Sequence, residues 1–184
     1  MKDTHEVYPI EIAGVKRELR LFEVKPGLRI AILNILGDVE LVDACAAALA
    51  AKLDPDSYDV IVTAESKSIP LAHMLARETR KPYLILRKEY KPYMGNGIIA
   101  ETLSITTGKP QVLILDEKDV PQVEGKRILV VDDVISTGST LQGMHLIVEK
   151  AGGKVVQEAA ILTEGDRAHW REIVSLGHLP LFTD

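Results

Sequence analysis

Cysteine, aromatic side chains and surplus positive charge are scarce in this sequence, and each scarcity excludes a class of protein. A single cysteine, Cys45, stands among 184 residues, so no internal disulfide can form and a disulfide-stapled secreted scaffold is excluded. Cys45 lies in the alanine-rich stretch 43–48, where helical packing accounts for it better than nucleophilic chemistry. Two phenylalanines and one tryptophan leave Val, Ile, Leu and Ala to fill the interior, in a chain long enough for one domain with a sizeable core. Acidic residues outnumber basic ones, 27 to 22, for a formal charge of -5. That balance argues against a general nucleic-acid binder, which neutralises phosphates with a basic surface. No apolar run approaches the roughly 20 residues that span a bilayer, and residues 1–6 lack the apolar stretch of a secretory signal. A cytoplasmic protein with no membrane or nucleic-acid partner is the expectation.

Short apolar runs alternating with helical periodicity are what the sequence does contain. Residues 8–13 and 18–24 flank Gly14 and read as a hairpin, and an apolar run follows at 30–36. Leu41, Cys45, Leu49 and Leu53 recur at helical spacing until Asp54-Pro55. Strands are expected over 58–64, 83–87, 127–132 and 155–163, with helices over 70–79 and 140–150 and a short one over 169–175. Residues 103–107 and 112–116 flank Gly108-Lys109 as a second hairpin, and the tail 177–182 ends on a last strand. Near-continuous apolar strands alternating with helices predict an α/β fold with a central, mostly parallel sheet covered by helices on both faces. Residues 1–36 depart from that alternation and form a small cap over one edge, with the core at 58–165.

The chemistry is concentrated in residues 128–140. Four apolar residues run into Asp132 and Asp133, then Val134, Ile135, Ser136, Thr137, Gly138, Ser139 and Thr140 open a helix. Ligands of open α/β sheets bind beyond the carboxyl ends of strands. A loop that opens a helix offers free amides and a favourable dipole to an anion. Gly138 permits close backbone approach and the hydroxyls add donors, which makes this a site for a terminal phosphate. The two carboxylates can accept from vicinal sugar hydroxyls or support a divalent metal, so the whole describes a phosphorylated sugar. A strand ending in surface aspartates with a Ser/Thr cap would explain only part of the run.

This run resembles the signature of the type I phosphoribosyltransferases, and the resemblance extends over about residues 60–163. It implies that residues 136–140 hold the 5-phosphate of 5-phosphoribosyl-1-pyrophosphate and that Asp132 and Asp133 hold the ribose. Glu65, Ser66, Lys67 and Ser68 resemble the family's pyrophosphate loop, with Lys67 where adenine-type members often carry arginine. Ser66 or Ser68 could equally be a plain helix cap. Arg87 and Lys88 resemble a basic pair that meets pyrophosphate. Residues 88–101, with Lys91, Tyr93, Asn96 and two glycines, resemble a mobile loop that closes over the site to exclude water.

Further implications are Mg²⁺ as cofactor, indirectly supported by Asp132 and Asp133, and a homodimer pairing near the pyrophosphate loop. The acceptor implied is a purine, adenine-like ahead of the alternatives, with Asn34 and Val134 as base contacts. Adenine-type members carry a glutamate where this chain has Thr106, with Glu101 a substitute from the loop, and xanthine-type members a lysine where it reads Thr163-Glu164-Gly165-Asp166. The alternatives are a non-catalytic sensor of the sugar diphosphate and a xanthine or orotate phosphoribosyltransferase. The five histidines show no metal-ligand spacing, and Trp170 reads as a core or interface anchor.

Overall fold

The computed structural model describes residues 1–103 and 110–183. Its centre is a five-stranded sheet in the order β10-β9-β8-β4-β5, formed by β4 (Val60–Ala64), β5 (Tyr83–Leu86), β8 (Arg127–Ile135), β9 (Lys154–Glu164) and β10 (Val174–Leu179). Every pairing in it is parallel. All five residues of β4 are buried, as expected of a strand covered on both faces. Residue parity decides which cover each side chain meets. Leu129, Val131, Ala159 and Ile161 pack with α1 (Val39–Ala50) and α2 (Ile69–Thr79), while Ile128, Val130 and Ala160 pack with α3 (Ser139–Lys150). Each such fully buried aliphatic side chain contributes roughly 1.5–3 kcal/mol. Cys45 is fully buried on α1, and burial pushes its thiol up to about 12, which fits packing and not reactivity. No helix among the described residues is long and apolar enough to cross a membrane.

The cap is a four-stranded sheet in the order β1-β2-β3-β11, built from β1 (Lys2–Ile12), β2 (Val15–Lys25), β3 (Leu28–Ile32) and β11 (Phe182–Thr183). Ala13 and Gly14, both at positive φ, make the tight turn of its hairpin. Ile12, Leu19, Leu21 and Ala31 join the core that α1 and α2 share with the central sheet. Arg17 of β2 donates Nε and Nη2 to the two oxygens of Asp38, 2.8 Å each, while Asp38 caps α1 by accepting from the Leu41 amide. A paired fork of this kind fixes orientation as well as charge, and here it ties the cap to the start of α1.

Three expectations are corrected. The tail is not one strand: β10 completes the central sheet and β11 crosses to the cap, where Phe182 pairs with Arg29. The short helix expected over 169–175 is a 3-10 turn at Arg167–Trp170, after which β10 starts at Val174; β-branched Ile173 and Val174 favour the strand. The irregular stretch expected over 88–101 is shorter, because β6 (Ile98–Leu103) pairs antiparallel with β7 (Pro110–Leu115). Apolar anchoring there is also stronger than its polar composition implies, since Met94 is 1% exposed. The second hairpin thus exists with an earlier first strand. Ser104, Ile105, Thr106, Thr107, Gly108 and Lys109 lie outside the described residues.

Candidate active site

Strand β8 delivers Asp132 and Asp133 to the carboxyl end of the sheet, 9% and 6% exposed. Burying two adjacent carboxylates is costly unless each finds a partner, and the partner is Ser68 at the start of α2. Its hydroxyl lies 2.6 Å from Asp132 Oδ1 and 3.3 Å from Asp133 Oδ1. The Asp133 amide lies 2.9 Å from Asp132 Oδ1 and 3.2 Å from Ser68 Oγ. Ser68 therefore is not a helix cap: no side-chain hydrogen bond closes the start of α2. Desolvation, then the neighbouring Asp133 charge, raises the Asp132 carboxyl above the usual carboxylate range, with the Ser68 hydrogen bond opposing the shift.

Asp133 Oδ2 is buried without an aligned hydrogen bond, and Lys67 Nζ stands 3.2 Å from it. The same ammonium donates to the Leu33 carbonyl at 3.2 Å. Lys67 thus bridges the segment after β3 and the aspartate pair. Among the described residues no group of three or more His, Cys, Asp and Glu could cage a metal. Two carboxylates, one with an oxygen lacking an aligned donor, would suit a magnesium ion that keeps most of its waters, since Mg²⁺ rarely uses an all-protein cage.

Beyond the aspartates the chain turns through Ser136 and Thr137 into Gly138, at φ 76° the left-handed entry to α3. A cavity of about 220 Å³ opens here, lined by Val134, Ser136, Thr137, Gly138, Ser139 and Thr140 together with Asp132 and Gln111. No side chain caps the first turn of α3, so its free amides remain available to an anion. Thr137 and Ser139 hydroxyls lie 3.2 Å apart, and Thr140 Oγ1 meets the Gln111 carboxamide at 3.1 Å. Gln111, on β7, reaches the loop from far along the chain, and no local pattern points to it.

The remaining sequence candidates divide. At the end of β4, the Glu65 carboxylate accepts from Arg87 Nε and, at 2.8 Å, from the Lys88 amide. Glu65 thereby aligns the ends of β4 and β5, and its negative charge offers an anion no direct attraction. Desolvation opposes the effect, yet the Lys88 amide and Arg87 hold the Glu65 carboxyl below its usual range. Arg87 also donates to Tyr93 Oη at 3.2 Å. Ser66 and Lys88 are exposed beside it. Lys91 pairs with Glu89 at 2.8 Å and is not drawn into the cluster. Asn34 is exposed, its carboxamide oxygen accepting from the Leu36 amide in a local turn, whereas Val134 lines the loop cavity.

Glu164, which ends β9, and Trp170, in the turn that follows it, complete the surroundings. Glu164 is 7% exposed, and burial alone pushes its carboxyl up to about 7. Trp170 donates from Nε1 to the Glu164 carbonyl at 2.8 Å and lays its ring against Gly138. Neither role is visible in sequence spacing, because each depends on how β9 and β8 lie side by side.

Residues 32–174 match the family model for the phosphoribosyl transferase domain. The chain is similar to a hypoxanthine/guanine phosphoribosyltransferase of Methanococcus voltae, 33% identical over 60% of this chain and 55% of that protein. Thus the match spans about half the length of that curated relative. An adenine phosphoribosyltransferase of Flavobacterium johnsoniae is 30% identical over 83% of this chain and 82% of its own. In fold, the chain is similar to the adenine phosphoribosyltransferase of Thermoanaerobacter pseudethanolicus, with TM-score 0.67 and 22% identity over 94% of this chain and 95% of that one. The Saccharomyces cerevisiae enzyme, complexed with an imino-altritol bisphosphate and adenine, gives TM-score 0.66 and 19% identity over 92% and 93%.

Proposed function

The chain belongs to the phosphoribosyl transferase domain family, and on that premise we propose that it transfers the phosphoribosyl group of 5-phosphoribosyl-1-pyrophosphate to a purine base, releasing pyrophosphate. The observation that carries this reading is the aspartate pair held by Ser68, of which Asp132 lines the polar cavity at the start of α3. Residues 136–140 bind the 5-phosphate through amides and hydroxyls. Asp132 and Asp133 accept from the ribose hydroxyls and sit beside the positive charge that develops as the C1–oxygen bond breaks. Stabilisation by preorganised charge of this kind is often the largest catalytic contribution.

Lys67, with Arg87 and Lys88 at the end of β5, receives the diphosphate. Lys67 would move from Asp133 toward that anion, and the buried Oδ2 would then be open to a cation. Magnesium, when bound at Asp132 and Asp133, offsets the charge of the departing diphosphate. Direct displacement by a ring nitrogen of the base requires no covalent nucleophile, and positioning is the main contribution of the protein. The cavity side of Val134 supplies an apolar surface for the base, and Asn34 lies at the cap side.

Adenine is the acceptor proposed, supported by the relative from Flavobacterium johnsoniae that matches across most of both chains; hypoxanthine and guanine are its direct competitors, given the Methanococcus voltae relative. A homodimer belongs to the same proposal, and sedimentation at micromolar concentration tests it. The decisive assay incubates the protein with the sugar diphosphate, Mg²⁺ and adenine, hypoxanthine, guanine, xanthine or orotate, and measures pyrophosphate release. Release fastest with adenine is expected. Tight binding of the sugar diphosphate with no release for any base would instead identify a sensor.

A further inference from the structure

Trp170 is the one tryptophan of the chain, and its surroundings give it a task that simple core packing does not. It closes the 3-10 turn Arg167–Trp170 that follows β9. Asp166 holds that turn by accepting from the Ala168 amide at 2.9 Å, and the Ile173 amide donates back to the Trp170 carbonyl at 3.2 Å. The indole Nε1 donates to the Glu164 carbonyl at 2.8 Å, which fixes the ring plane relative to the end of β9. On its far edge, Cη2 comes within 3.1 Å and Cζ3 within 3.6 Å of where a Cβ on Gly138 would stand. The ring is thus wedged between a strand carbonyl and the residue that turns the chain into α3.

Gly138 is the hinge of the anion loop, since its left-handed conformation decides where the first amides of α3 point. A glycine alone leaves that choice loose, because it visits both hands of φ readily. We propose that Trp170 is a positioning residue for the phosphate loop: its indole, anchored on Glu164, is the wall that holds Gly138 in place and so keeps the amides of α3 aimed at a sugar 5-phosphate. This rests on the loop being a phosphate site. It adds that the loop's affinity is set in part by a residue that touches no substrate. It also makes the indole a reporter, because an occupied loop changes the packing of the ring against Gly138.

Ribose 5-phosphate, which has the phosphate and no leaving group, is the probe. Titrating it into the wild-type protein should move the Trp170 emission saturably, with the same midpoint that calorimetry gives. Trp170→Phe keeps the wall without the anchor and should hold ribose 5-phosphate within about threefold. Trp170→Ala removes the wall and should weaken it about tenfold or more, raising KM for the sugar diphosphate while kcat at saturation stays within about threefold, as expected for lost positioning. Circular dichroism and a melting curve check that Trp170→Ala folds. Should it not fold, the wild-type titration still decides. Calorimetric binding with no emission change, or an unaltered affinity in folded Trp170→Ala, overturns the proposal. No binding of ribose 5-phosphate to the wild type overturns the loop assignment itself.

Discussion

Ser68 and Asp132 stand 64 positions apart in the chain and share a 2.6 Å hydrogen bond at the open end of the central sheet. One hydroxyl from the start of α2 thereby fixes the acid that β8 carries, and it reaches Asp133 as well. The consequence is testable in Ser68→Ala. Removing a donor from a buried carboxylate costs about 1–3 kcal/mol, so the unfolding free energy extrapolated from denaturant curves at pH 8 should fall by that order. Turnover should drop about tenfold or more as the aspartates lose their alignment. Wild-type stability and turnover in Ser68→Ala would remove Ser68 from the site.

The double change Asp132→Asn with Asp133→Asn should abolish turnover while leaving the far-ultraviolet spectrum native. Both acids lie in the last four residues of β8, toward the open end of the sheet, where they serve a ligand more than the core. The folded-state carboxyl of Asp132 is raised, so the folded protein holds a proton that the unfolded chain releases, and stability falls as pH climbs out of the carboxylate range. Asp132→Asn should flatten that slope. Normal pyrophosphate release by the double variant would refute the ribose assignment.

Glu164 gives a second pH signature. Its carboxyl sits at about 7 in the folded protein against a reference of 4.5. Stability from this group is complete below pH 4.5 and is lost as pH rises toward 7 and beyond, because the folded state then carries an unpaired buried charge. Glu164→Gln should therefore match the wild type near pH 4.5 and exceed it at pH 8 by on the order of 2 kcal/mol. Thermal melts at the two pH values measure this, and equal differences at both would contradict the raised carboxyl.

Amide hydrogen exchange tests the closing loop. Strand β6 is paired with β7 and should be protected with or without ligand. The Asn96 amide is held by Glu117 Oε2 at 2.8 Å and Met94 is buried, so protection there should be intermediate. Residues 89 and 90 should exchange fast alone and slow when the sugar diphosphate and Mg²⁺ are added, since Lys88 beside them gains an anionic partner, whereas the Lys88 amide, held by Glu65, should be protected in both states. Uniform protection throughout would leave exclusion of water to the cap.

The parts of this architecture that could be read along the chain are those whose cause is local. The apolar run into Asp132 and Asp133, the glycine before α3 and the buried β4 follow from periodicity and turn chemistry. The assignments that failed or went unseen have distant causes. Ser68 was a cap or an anion ligand by its place before α2, and only the adjacency of β4 and β8 turns it onto the aspartates. Strand β6 was hidden because Gly95 and Gly97 precede it and its pairing lies across residues 104–109. Gln111 and Trp170 reach the phosphate loop from separate elements, which no spacing rule detects.

Strand β11 has a bearing on the order of assembly. Its pairing partner is β3, so the cap sheet joins Phe182 to Arg29 across nearly the whole described chain. During synthesis β1, β2 and β3 emerge before the strands of the central sheet and can form a meander early, yet their fourth strand arrives only after the central sheet has been made. Pairings of such long sequence separation close late, because the intervening loop must be ordered before they contribute. The cap strands, made before the central sheet, are therefore among the last to reach their final hydrogen bonding, and until then β3 presents an unpaired edge at the site where a second nascent chain could dock.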